Sequence, residues 1–95
     1  MRSRAIVGRE VEYRDWYLKT HIPELLTLPG FVSAELHQMI APAGATTEFL
    51  CIYLIETTDL PAVQAAMATA GATIVPSPAM DVPATRVEIF EQVVA

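Results

Sequence analysis

Between Gly8 and His21 the chain reads GREVEYRDWYLKTH, and Tyr13, Trp16, Tyr17 and Thr20 recur at three- and four-residue spacing. That recurrence predicts a helix with one aromatic-rich face. Glu10 with Arg14, and Asp15 with Lys19, supply i,i+4 pairs for the exposed side. Pro23 disfavours a helical Ile22, so the first helix is expected to break near His21. PELLTL then suits a short second turn with Pro23 at its start, stopped by Pro29-Gly30. From Phe31 to Met39 the pattern alternates as a half-buried strand, with Val32, Ala34 and Leu36 on one face and Ser33, Glu35 and His37 on the other.

APAGATT (41–47) is the expected turn, and EFLCIYLIE (Glu48 to Glu56), the most apolar stretch, reads as a central strand buried on both faces. TTDLPAVQAAMATAG is a helix capped by Thr58 or Asp59, with Pro61 in its first turn and Gly71 ending it. Its buried stripe is Leu60, Val63, Met67 and Ala70. ATIVPSPAMDVP (72–83) is an irregular crossing segment. ATRVEIFEQVV (Ala84 to Val94) reads as a last strand, with Val87, Ile89 and Val93 opposite Arg86, Glu88 and Phe90. With a short first strand in RSRAIV, the order predicts an α+β fold. It is a ferredoxin-like βαββαβ sandwich with a four-stranded antiparallel sheet and two helices on one side.

Residues 1–95 are enough for one domain. Hydrophobic residues make up 53% and charged ones only 18%, so the bare face of such a sheet is expected to be buried by a second copy, giving a homodimer. A net charge of −5 with six Lys and Arg argues against a nucleic-acid surface or an anionic lipid patch. The apolar run Phe49 to Ile55 is too short to span a bilayer. MRSRAIVGRE carries no apolar stretch of a secretory signal. Lone Cys51, inside an apolar strand, fits a reducing cytoplasm and reads as a small buried core residue.

His21 is the leading candidate for chemistry, because imidazole gives or takes a proton near neutrality. The competing reading makes it a helix C-terminal histidine, favourable to the dipole and bonded to a local carbonyl. Glu35 and His37 lie two apart on a strand and share a face, where the carboxylate would orient the imidazole. The plainer alternative is a polar pair at a dimer contact or sheet rim. His21, His37 and Glu35 have the ligand types of several divalent-metal sites but lack the close helical His spacing, so no metal is expected. Tyr13, Trp16 and Tyr17 either stack on an aromatic ligand or form core. Tyr53, on the central strand, offers a phenolic donor to a pocket. No phosphate loop, nucleophile elbow, Cys-x-x-Cys or calcium loop is present.

The stretch EYRDWYLKTHIPELLTLPGF (Glu12 to Phe31) resembles the EthD-like family of dimeric α/β-barrel proteins. The matching pieces are the acidic-aromatic start, Trp16-Tyr17, His21-x-Pro23, and Leu28-Pro29-Gly30-Phe31 leading into the strand. The resemblance runs more loosely through VSAELHQM and EFLCIYLIET to the end. Such proteins usually carry a full strand and a loop before the segment matching Gly8-Arg9-Glu10, where this chain has only Met1 to Val7. Either RSRAIV forms a short version of that strand, which is the favoured expectation, or the true start lies upstream. The resemblance implies a homodimer with a small apolar pocket in each subunit, between the sheet and its helices. Relatives include small-ring cyclases, lactone isomerases and cofactor-free oxygenases, and many have no assigned activity.

The expectation is a small cofactor-independent enzyme doing acid–base chemistry (cyclisation, isomerisation or a lyase step) on an apolar, cyclic or aromatic carbonyl compound. His21 would be the general acid or base, and Tyr53 or His37 would hold the oxygen that gains charge. Trp16, Tyr17, Glu35 and Phe31 would contact the substrate. The alternatives are a non-catalytic binding or accessory protein for a hydrophobic small molecule, and a cofactor-free oxygenase using the same pocket.

Overall fold

The computed structural model describes residues 1–40 and 47–93, so the expected turn at 41–46 lies outside the described residues. Strand β1 is Arg2–Arg4. Helix α1, Glu10–Trp16, continues through a π-helical turn at Tyr17–His21 into the short α2, Ile22–Leu25. Strands β2, Phe31–Gln38, and β3, Glu48–Ile55, precede α3, Leu60–Thr73. The result is an α+β protein with a three-stranded antiparallel sheet in the order β1-β3-β2 and two helical stretches among the described residues.

The helix does not break at His21 as Pro23 suggests. A proline lacks the N–H and its ring crowds the carbonyl four residues back. Here the Ile22 N–H bonds to the Tyr17 carbonyl, five residues back, which inserts one extra residue just before the proline. The segment widens instead of unwinding, and a single π turn of this kind is frequent at functional sites. The exposed pairs also differ in part. Asp15 and Lys19 stand 3.9 Å apart as expected, but the Glu10 carboxylate accepts from the Gly8 N–H.

β3 is central, yet it is not buried on both faces. Its register sets Tyr53 beside Ala34 and Cys51 beside Leu36, with Ile52 beside Glu35 and Leu50 beside His37. Period two therefore puts Phe49, Cys51, Tyr53, Ala34 and Leu36 under the helices. Leu50, Ile52 and Leu54 face outward, 40%, 50% and 49% exposed. A β-bulge between Phe31 and Ser33 turns Val32 out, so it does not join Ala34 and Leu36 as the plain alternation predicts.

The core sits on the inner face. Tyr13 and Tyr17 are fully buried, and the Tyr13 ring meets Phe49 edge-on at 5.4 Å. Ser3 Oγ and Tyr13 OH share a 2.6 Å hydrogen bond that satisfies both buried hydroxyls. Gly30 enters β2 at φ +83, where a Cβ would stand 3.1 Å from the Glu56 carbonyl oxygen and 3.2 Å from Val63 Cγ2. That close approach lets Val63, the buried residue of α3, seat against the end of the sheet. Asp59 caps α3 by accepting from the Ala62 N–H at 3.1 Å. Gly71 lies within this helix and does not end it. The turn out comes at Ile74, whose extended backbone leads into Pro76.

At the C-terminal end, a 3-10 turn at Val82–Ala84 replaces the start of the expected last strand. Arg2 and Arg86 exchange two main-chain hydrogen bonds, each 2.8 Å, and Ala5 bridges Met80. Val87–Val93, beyond the Arg2–Arg86 bridge, are without regular structure. Among the described residues no helix is long and apolar enough to cross a membrane.

Candidate functional site

A cavity of about 930 Å³ opens between β3, the π turn, the C-terminal half of α3 and the segment after Arg86, and β3 lines it with Leu50 and Ile52 as well as Cys51 and Tyr53. The π turn sets His21 in its wall. The ring stacks on Trp16, with centroids 4.7 Å apart and planes 15° apart, and meets Tyr17 edge-on at 5.0 Å. His21 is only 6% exposed, and neither ring nitrogen has a hydrogen-bond partner among the described residues. Burial disfavours the imidazolium and lowers the pKa from the ordinary value of 6.5. The ring is therefore a neutral imidazole with one N–H and one lone pair uncommitted. The expectation of a helix-end histidine bonded to a carbonyl is not met, because the helical stretch runs on to Leu25.

Tyr53, on the inner face of β3, donates its hydroxyl to Tyr17 OH at 3.3 Å, and Tyr17 OH points to Met1 Sδ at 3.2 Å. Burial, first among the causes, pushes both phenols above the ordinary range and keeps them protonated. Phe31 meets the Tyr53 ring edge-on at 5.8 Å and also lines the cavity. Tyr17 lies behind the wall, buried, touching both His21 and Tyr53. The cavity thus gathers His21, Tyr53, Trp16 and Phe31, with Tyr17 as the shared neighbour.

Glu35 and His37 are not part of this group. Leu36 faces the core, so its neighbours on β2 project from the opposite side of the sheet. There His37 Nε2 and Glu35 Oε2 stand 3.2 Å apart with both side chains more than half exposed. His37, expected as oxygen holder, and Glu35, expected as substrate contact, stand outside the cavity as a surface pair. Among the described residues no group of three or more His, Cys, Asp or Glu is placed to hold a metal. Cys51 is buried, and burial raises its thiol pKa, the setting of an unreactive core cysteine.

Sequence reasoning missed two parts of the wall. Ile74 comes from the irregular segment after α3, and Val87 to Phe90 come from the expected last strand. The proline-rich stretch around Ile74 carries no periodic signal, whereas Met67 was legible as part of the α3 stripe. No protein-family model, curated protein or solved structure matches this chain. The arrangement itself offers a neutral base and donor in His21, and in Tyr53 a phenol whose proton goes to Tyr17 OH and whose oxygen can accept. The apolar surroundings strengthen any hydrogen bond made there.

Proposed function

We propose that the chain is an EthD-like, cytoplasmic dimeric α/β-barrel protein and a small cofactor-independent enzyme. It moves a proton on an apolar, cyclic or aromatic carbonyl compound in a cyclisation, isomerisation or lyase step. His21 is the general acid or base, and the Tyr53 hydroxyl, turning its proton from Tyr17 OH to the substrate, holds the oxygen that gains charge. The single observation that carries this reading is a neutral imidazole, buried in a cavity wall, with both nitrogens unpartnered. Leaving a buried polar group unsatisfied costs about 1–3 kcal/mol, so a bound molecule that pairs with it gains by doing so.

The fold supports the same reading. The reciprocal Arg2–Arg86 bonds and the antiparallel Ala5–Met80 bridge set the last segment beside β1, on the side away from β3. That is where the fourth strand of a ferredoxin-like sheet belongs. The contiguous outward stripe Leu50, Ile52 and Leu54 is an apolar patch of the kind that marks an interaction site, and a second copy would cover it.

Incubation with a panel of cyclic and aromatic ketones in D2O tests the chemistry. The wild-type protein is expected to wash deuterium into a substrate, and His21→Gln to lose at least about 100-fold of that rate while still binding. Unchanged wash-in by His21→Gln would remove His21 from the mechanism. A second reading is a binding or accessory protein, with a cofactor-free oxygenase as a variant of the enzyme. The binding reading is favoured by the absence, among the described residues, of any carboxylate hydrogen-bonded to His21 to orient it. Tight ligand binding with no wash-in would select it.

A further inference from the structure

We propose that Arg2 and Arg86 form an anion clamp in the wall of the His21 cavity, so that its ligand is an apolar compound carrying one ionised carboxylate. The clamp rests on the proposed function only in taking this cavity as the ligand site. Proton transfer at His21 plays no part in it.

The main chain sets the pair. Arg2 and Arg86 exchange two main-chain hydrogen bonds, each 2.8 Å, which makes them directly opposed residues of an antiparallel bridge. Residues opposed in this way project from the same face, with Cα atoms about 5.5 Å apart. Arg2 is also the register partner of outward-facing Leu50, so both arginine side chains leave the outer face beside it. Leu50 and both arginines line the cavity together.

Like charges directly opposite each other destabilise a sheet. The chain does little to offset this pair. Arg4, Arg9 and Lys19 each face a carboxylate, whereas Arg2 forms no ion pair among the described residues. Arg86 has only Glu88, at 3.9 Å and more than half exposed. Of the six Lys and Arg in the chain, these two alone line the cavity, and Glu88 is its one carboxylate among the described residues.

Two guanidinium groups against one carboxylate leave one positive charge uncompensated, in a chain whose net charge is −5. One carboxylate on a ligand balances it, and its two oxygens match the planar fork of a guanidinium. A phosphate monoester, at about −1.5 to −2, would exceed it. Phe31, Ile55, Met67 and Ile74 in the same wall call for an apolar body. A second copy would offer Glu35 from its outer face, but that carboxylate is already paired with His37 at 3.2 Å.

The test is isothermal titration calorimetry with 4-benzoylbenzoate and its neutral amide, 4-benzoylbenzamide. Neither carries an exchangeable hydrogen beside its ketone, so binding alone is read. The acid is expected to bind about tenfold tighter than the amide, and molar salt to erase most of the difference. Arg2→Gln and Arg86→Gln should each abolish most of the preference and leave the amide's affinity unchanged. Arg4→Gln removes the same charge from the same strand, but Arg4 pairs with Asp81 and does not line the cavity, so the preference should persist.

Equal binding of acid and amide, binding of neither, or a preference lost equally in Arg4→Gln would overturn the proposal. So would a dimer that dissociates in Arg86→Gln while acid and amide bind alike, which would assign the clamp to a carboxylate of a second copy. A preference for the acid without deuterium wash-in would uphold the clamp and remove the chemistry at His21.

Discussion

The two histidines stand on opposite sides of one sheet and divide its chemistry. His37 projects from the outer face, paired with Glu35 among solvent-exposed Leu50 and Ile52. His21 faces inward, caged by Trp16 and Tyr17, with neither ring nitrogen bonded to a described residue. Exposed pairs of the first kind are worth about 0–1 kcal/mol and are screened by salt. The inner ring is different in kind, because removal from water lowers its pKa and leaves two directional groups with no partner among the described residues. The same residue type gains chemical potential from burial without a partner. The inner face of this sheet packs around the buried ring, and the outer face leaves Leu50, Ile52 and Leu54 exposed.

The largest separation between the faces should come from truncating apolar side chains. Tyr17→Ala removes a fully buried ring that touches Tyr13, Trp16 and His21, and is expected to cost about 3–5 kcal/mol in chemical denaturation. Ile52→Ala, half exposed on the outer face, should change the stability of the single chain by no more than about 0.5 kcal/mol. Equal losses would mean that both faces are packed within one chain.

Association should invert that ranking. Ile52→Lys places a charge in the outer stripe and is expected to turn a dimer into a 10.4 kDa monomer in analytical ultracentrifugation at micromolar concentration, with the fold retained. A wild-type protein that is already a monomer, or an Ile52→Lys dimer, would contradict the assignment of the outer face.

A smaller effect of unusual sign is expected at His21. His21→Phe keeps the stack on Trp16 and removes two unsatisfied nitrogens, so it should raise stability by about 1–3 kcal/mol while abolishing proton transfer. The folded pKa lies below 6.5, so between it and 6.5 the unfolded chain binds more protons. Stability is therefore full above about pH 6.5 and declines as pH falls toward the folded pKa. The Phe variant should lose this contribution to the slope in thermal melts. A wild-type protein that gains stability as pH falls through this window would reverse the sign and contradict the neutral, buried ring.

The parts of this division that were legible in the sequence are those set by strong periodicity. The aromatic spacing of Tyr13, Trp16 and Tyr17 marked the helix face that forms the core, and the alternation of Ala34 and Leu36 against Glu35 and His37 marked the two faces of β2. That alternation already separates His37 from the core face, but a sequence does not say on which face His21 lands. The π turn escaped prediction because Pro23 signals only that an ordinary helical ladder is interrupted; widening and breaking satisfy it equally. The last strand failed for a different reason. Val87, Ile89 and Val93 have the right pattern, but a strand needs another main chain alongside it, which alternation alone does not supply; here Arg86 pairs with Arg2 and the described residues after it have no strand partner. The burial expected for both faces of β3 rested on apolar content alone, which cannot separate a strand covered by its own chain from one covered by another copy.

The central claim is that His21 is a neutral, unpartnered imidazole in the cavity wall, and NMR titration of the ring tests it most directly. With His37→Gln removing the other histidine, the ring nitrogen shifts should keep the neutral pattern as pH falls through 6.5 and change only below it. The added ligand that fills the cavity should perturb them at constant pH. A midpoint at or above 6.5 would place the ring in water or beside a negative charge, and would contradict the account.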